Sequence, residues 1–519
     1  MKRVLSIIIS VLFILSCFTF VSGAEGETQY EVPVYVTSGK CGDHLTFELD
    51  ESTGVLTISG YGEMKLETRQ PDEFRTEIIS WNPKLVKKMI LPDGLTSLTT
   101  LIGHYNLEEL NIPESVESIN CGYMLKDNKN KMTIRIPKNV KTIGIDTFAY
   151  ASNVIKLEID EENPYLATDG YSIFSKDMTK LIQIVCPPEE YKIPDTVYEY
   201  QQNAFKCNTY RSLTLSEKII SVHNNEFFNL NKLERIVMPG VMYIDRIAFH
   251  YCDSLKYVDM GDKTHTIYDG AFSMCKSLRS LYIPYSVKDL NGWSMSSYHQ
   301  DSETGEYWGV TDLFYPGTEE DFSQIKIWAG LPKGIKVHYN WTLRGVYMDK
   351  WYDAGIVGCV DRGIMTGTSA AEFSPELELT RAQMVQILAR IAGADLESYE
   401  PGDKFKDVPK DAWYAEAVEW ALENDITEGI SDDEFSPDTA VTREQFATFM
   451  YALNGEDSIV DLSVYTDSDQ ISDWAAAPMM WAVRFGMITG TTATTLSPKS
   501  TATRAQTAVI VNQYLITHE

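Results

Sequence analysis

Three arginines in this 519-residue chain recur in one setting: "LTRAQ" at 379–383, "VTREQ" at 441–445 and "ATRAQ" at 502–506. Arg381, Arg443 and Arg504 each follow a threonine at what reads as the first position of a helix. That end of a helix carries partial positive charge, so a cation there is mildly unfavourable. A guanidinium beside helix-terminal N–H groups makes a compact anion site, and its planar fork suits a carboxylate held by two bonds. Fourteen residues ahead of each arginine stands a glycine, Gly367, Gly429 or Gly490, expected to let a ligand approach the backbone. A tryptophan, Trp351, Trp413 or Trp474, precedes each threonine by 29 residues. An ordinary surface ion pair contributes only about 0–1 kcal/mol, and it leaves the threefold recurrence unexplained.

The elements that must position these residues read as helix, loop, helix, three times. In "WYAEAVEWALEND" Trp413, Ala417, Trp420 and Ala421 fall on one helical face. The loops "GIMTGTSAAEFSP", "DITEGISDDEFSP" and "GMITGTTATTLSP" end in a proline that stops any continuation. The second helix of each unit opens with Thr-x-x-Gln, a capping box in which threonine and glutamine side chains each accept a terminal backbone N–H. An arginine just outside that box is expected to be exposed, so its loss should change stability by no more than about 0.5 kcal/mol.

Three units of constant internal length resemble the S-layer homology domain, a triplet that fastens exported proteins to the bacterial wall. Their expected limits are 341–400, 401–460 and 461–519. The resemblance implies that the arginines, glycines and tryptophans, with Asp407 and Asp467, meet secondary cell-wall polymer, a pyruvylated glycan whose carboxylate reaches the arginine. The family opens each unit with an aromatic and then Asp, matched by Phe405 with Asp407 and by Tyr465 with Asp467. Unit one lacks such a pair. Losing Arg443 and Arg504 together is therefore expected to weaken wall binding more than losing Arg381.

A second periodicity lies between about 107 and 284. Leu233, Leu255 and Leu278 recur at steps of 22 and 23 residues, followed three later by Ile236, Val258 and Leu281, then by Met238, Met260 and Ile283. Phe228, Phe249 and Phe272 keep a similar beat. Alternating apolar positions, as in "LRSLYI", read as a short strand with one buried face. One such unit cannot bury that face alone, so the units must stack as a solenoid. The "AFxxCxSLxxLxIPxxV" pattern resembles the BspA-type leucine-rich repeats of bacterial surface proteins. The resemblance implies a solenoid domain over 25–340, opened by a β-hairpin at "GKCGDHLTFELDESTGVLTISGYGEM", interrupted by a hairpin between Asn163 and Pro188, and closed by a cap ending near Asn340.

The N-terminus "MKRVLSIIISVLFILSCFTFVSGAEGE" has a charged start, an apolar run and a small-residue cleavage site, and residues 1–24 read as a secretory signal peptide. No later run is long and apolar enough to span a bilayer, so no membrane insertion is expected after cleavage. Net charge is −29, which excludes general affinity for nucleic acid or anionic membrane. Seven cysteines follow the signal without any CxxC pair, so no zinc site or other cofactor is implied. Cys252 and Cys275 read as small buried residues or as a disulfide between adjacent repeats. No HExxH, GxSxG, Walker or dinucleotide motif occurs.

The expected fold is α+β multidomain: a β-rich leucine-rich-repeat solenoid with hairpin caps, then an all-α domain of three S-layer homology repeats. The expected function is a non-enzymatic protein of the cell wall or surface of a Gram-positive-type bacterium, displaying the solenoid to an extracellular protein or glycan. The alternative is a wall-bound enzyme, such as a glycan hydrolase, with its site in the repeats.

Overall fold

The computed structural model describes residues 30–72, 75–99, 104–295, 309–343, 350–369, 372–456 and 458–518. The expected signal, 1–24, lies outside these, as do Tyr298, Tyr307 and Trp308, whose types suit cap packing or a recognition surface. The chain forms two compact units, the first ending at Lys336 and the second beginning at Val337 and including Phe314–Pro316.

In the first unit, Leu45–Asp50 pairs antiparallel with Val55–Glu63 as the expected opening hairpin. Leu45, Phe47 and Leu49 point inward while their neighbours are exposed, the period-2 pattern of a half-buried strand. The repeats from Ser212 to Ile267 each contribute one strand to each of two parallel sheets. One sheet sets Tyr191, Leu213, Ile236 and Val258 side by side. The other aligns Val222, Ile244, Ile267, Leu290 and Ile327. All nine residues at the expected Leu, Ile/Val/Leu and Met/Ile repeat positions are buried. The insertion appears as an antiparallel meander of Leu166–Thr168, Ser172–Ser175 and Lys180–Ile184.

A phenylalanine stack runs through the turns behind the strands. Phe205, Phe227, Phe249 and Phe272 lie ring on ring with centroids 4.9, 4.7 and 5.2 Å apart. Phe227, and not the expected Phe228, holds the core position. Its spacing from Phe249 is 22 residues, while Phe228 turns outward against His250. Cys252 and Cys275 are buried free thiols, each donating to the carbonyl of a stacked phenylalanine in the preceding turn, Phe227 and Phe249.

The second unit is helical. Each repeat supplies a short helix, Asp353–Asp361, Ala415–Glu423 or Ala476–Arg484, and a capped helix, Arg381–Ile391, Arg443–Asn454 or Arg504–His518. The helices pair across repeats. The capped helix of one packs on the short helix of the next, and the last capped helix returns to the first short helix. In that closing contact Cys359 Sγ donates to the Ala508 carbonyl, and a Cβ on Gly355 would lie 2.7 Å from Val509 Cα, so only glycine fits. Three hydrogen bonds complete the ring at its centre: Leu379 N to Ala502 O, Ala502 N to Val441 O and Val441 N to Leu379 O, each 2.8–2.9 Å. No described helix is long and apolar enough to cross a membrane.

Candidate functional site

All three capping boxes form as expected, through Thr380 with Gln383, Thr442 with Gln445 and Thr503 with Gln506. The helix-terminal amides, however, are already taken. Arg381 N and Ala382 N donate to Thr439 and Pro437; Arg443 N and Glu444 N donate to Ser500 and Pro498; Arg504 N and Ala505 N donate to Leu377 and Pro375. These carbonyls belong to the loop of the next repeat around the ring. The expected anion site at the helix ends is therefore corrected: the exposed N–H groups it needs are satisfied within the protein.

The arginines are also buried, between 4 and 8% exposed, and not on the surface as expected. Arg504 Nε and Nη2 donate to the Phe373 and Thr366 carbonyls, at 2.9 and 2.6 Å. Arg443 makes the matching bonds to Leu496 and Thr489. Arg381 Nε donates to Phe435, and its guanidinium lies over the Phe435 and Phe449 rings. Each arginine thus clasps a neighbour's loop: unit one's holds loop two, unit two's holds loop three, unit three's holds loop one. This resolves the cost of a cation at a helix start, because the side chain carries its charge to backbone carbonyls elsewhere. Burial lowers all three guanidinium pKa values from an already high base, leaving them charged.

The three loops differ. In loops one and three the carbonyls of Thr366 and Thr489 meet the arginine. In loop two Gly429 adopts φ +97°, a conformation favouring glycine, and the carbonyl of Glu428 gives Arg381 no bond. Arg381 Nη2 is buried there without a partner. Loop two also carries the exposed carboxylates Glu428, Asp432, Asp433 and Glu434.

The glycines serve the loops' own closure. A Cβ on Gly367 or Gly490 would sit 2.3 Å from the carbonyl two residues on, and one on Gly429 2.8 Å from it. Against Gly429 packs Phe405, and against Gly490 packs Tyr465. Leu343 takes this place beside Gly367, eight residues before Trp351 as Phe405 is before Trp413. It is the unit-one counterpart that the search for an aromatic overlooks, while the position matching Asp407 lies outside the described residues. Asp407 accepts from Phe435 N and Ser436 N, and Asp467 from Leu496 N and Ser497 N. Both carboxylates are occupied in shaping loops.

Trp351, Trp413 and Trp474 are 66, 65 and 55% exposed. Trp413 precedes the helix that begins at Ala415, so it leaves the core face that Ala417, Trp420 and Ala421 share. Groove one, about 370 Å³, brings together Trp413 of unit two, Arg504 of unit three, and Gly367 with Gln383 of unit one. All three repeats contribute to it, and no carboxylate lines it among the described residues. Two of the five guanidinium N–H groups of Arg504 are engaged, leaving donors at a wall whose other polar groups are threonines, glutamines, the Trp413 indole and a second guanidinium, Arg390.

Comparison with known proteins distinguishes two regions of the chain. Residues 82–204 and 185–300 match the description "BspA type Leucine rich repeat region", in six copies. Residues 347–385, 404–447 and 464–508 match "S-layer homology domain". The chain is 35% identical over 161 residues to a surface-layer 125 kDa protein of Lysinibacillus sphaericus, covering 30% of this chain and 13% of that protein. It is 30% identical over 158 residues to a cellulosome-anchoring protein of Acetivibrio thermocellus, covering 29 and 35%. It is 31% identical over 170 residues to an endoglucanase of a Bacillus species, covering 32 and 18%. The chain thus spans about a third or less of the length of these relatives. A leucine rich cell surface protein of Faecalibacterium prausnitzii is similar in structure, at 18% identity and a TM-score of 0.36, covering 56% of this chain and 98% of that one. The chain thus carries a region that matches BspA-type leucine-rich repeats, followed by three that match the S-layer homology domain.

Proposed function

We propose that this is an exported cell-surface protein, held non-covalently on secondary cell-wall polymer by its C-terminal ring and presenting the solenoid to an extracellular protein or glycan. The divisions at 341–400, 401–460 and 461–519 are part of this reading. The observation that carries it is groove one: two guanidinium groups, an exposed indole and neutral polar groups converge where no carboxylate lines the wall, in a chain of net charge −29. An indole face stacks on a sugar ring, and a guanidinium edge takes a carboxylate in paired bonds. A pyruvylated sugar offers both. Arg504 and Arg443, with Gly367, Gly490, Trp413 and, by the ring's threefold relation, Trp351, are assigned to ligand. Arg381, Gly429 and Trp474 form the corresponding but more acidic place, where an anion is disfavoured. This reading ranks Arg443 and Arg504 above Arg381 by the character of the loop each one holds.

The reading is of a binding protein without catalysis. The surface-layer and cellulosome-anchoring relatives support it, whereas the endoglucanase shows that such a match also occurs in an enzyme. Purified wall sacculi should retain the full chain, and chemical removal of the secondary polymer should abolish retention. Retention that survives stripping would overturn the assignment.

A further inference from the structure

Groove one contains a second guanidinium. Arg390 lies on the same face of the capped helix as Gln383 and Gln386, at helical spacings of three and four. Its Nη1 donates to the Ile364 carbonyl at 3.3 Å, two residues before the carbonyl that Arg504 holds. The two cations therefore grip the same loop segment from different repeats and both line the groove. The positions nine residues after Arg443 and Arg504 are Ala452 and Gln513, so this second cation is particular to groove one.

We propose that Arg390 is a specificity-determining residue that fits groove one to a saccharide carrying two acidic groups on neighbouring sugars, making it the tightest of the three sites. One acidic group meets Arg504 beside Trp413, and the next along the polymer meets Arg390. This assignment rests on the wall-polymer reading above and adds to it a ligand charge and a ranking of sites. A lone cation suffices for one carboxylate, and a second adds most where a second anion reaches it.

The test is calorimetric titration of the full chain with two probes, a disaccharide bearing a pyruvate ketal on both sugars and the same disaccharide bearing one. The native protein should bind the doubly modified probe at one tight site, tenfold or more above the singly modified one. Arg390→Gln should erase that difference and leave the singly modified probe within about twofold. Gln513→Arg, at the exposed position of the third capped helix that matches Arg390, should create a second tight site and raise the stoichiometry to two. Melting curves that match the native protein confirm that both variants are folded. An Arg390→Gln protein that still prefers the doubly modified probe overturns the proposal while leaving the wall-polymer reading intact. Failure of both probes to bind removes that reading, and this proposal with it.

Discussion

The solenoid and the ring answer one problem, how to bury repeats too small to stand alone, in opposite ways. In the solenoid each repeat meets the one before and the one after, and the ends are closed by different structures, a hairpin at one and a cap at the other. In the ring the third repeat returns to the first, and no end remains. The difference appears in the residues that join the copies. Solenoid repeats are joined by strand registers and a phenylalanine stack, contacts that repeat along a line. Ring repeats are joined by a triangle of backbone bonds and by arginines that each hold another repeat's loop. Closing the ring also brings three repeats together at one groove, which a linear stack does not do.

The largest effect that sharpens this contrast is expected in the solenoid core. Phe227→Ala removes the middle of the stack and should cost about 3–5 kcal/mol. Scanning calorimetry should show one transition lowered and the ring's transition unmoved; a shift of both equally would mean that the units do not melt apart. Next, Arg504→Ala leaves two loop carbonyls without donors and opens the contact between repeats three and one. It should cost about 3 kcal/mol, since bonds from a charged donor contribute roughly 1.5–3 kcal/mol each. Urea unfolding of the ring provides the measurement, and a cost under about 0.5 kcal/mol would restore the picture of an exposed arginine.

A smaller effect concerns Glu226, buried where neighbouring repeats have Ala204, Ala248 and Ala271. Burial pushes its carboxyl up to about 7, with the amide of Asn203 donating to one oxygen and opposing the shift. The folded state then holds a proton that the unfolded chain releases near pH 4.3. Solenoid stability should fall as pH rises from there to about 7 and level off above it. Glu226→Gln should flatten that slope, and an unchanged slope would mean that another group titrates. The smallest effect is Thr442→Ala, which should cost about 1 kcal/mol through the lost cap, read as a lowered ring transition.

Much of this architecture is legible in the chain itself, and the limits of legibility have physical causes. Capping boxes are local, so Thr380, Thr442 and Thr503 declare themselves within four residues. Strand alternation and the 22-residue beat identify the solenoid for the same reason. Which of two adjacent phenylalanines faces inward depends on one residue of register, and there Phe227 and Phe228 are distinguished only by counting back from Phe249. Periodicity says that three helix pairs exist but not which copy each packs against. The partner of Arg504 therefore lies 131 residues away at Phe373, beyond any local pattern. Arginine also reads as a surface residue by type, so burial against carbonyls leaves no sequence signal. Leu343 carries no aromatic signal in the sequence, because any apolar side chain fits against Gly367.

The most direct test of the ring account is hydrogen exchange on the full chain, followed by mass spectrometry, with and without the doubly pyruvylated disaccharide. The account predicts that one titration slows exchange together in loop one, around 364–369, at the start of the third capped helix, around 504–507, and beside Trp413. Protection that couples loop one to the start of its own repeat's helix, around 381–384, and leaves 504–507 unchanged would contradict it.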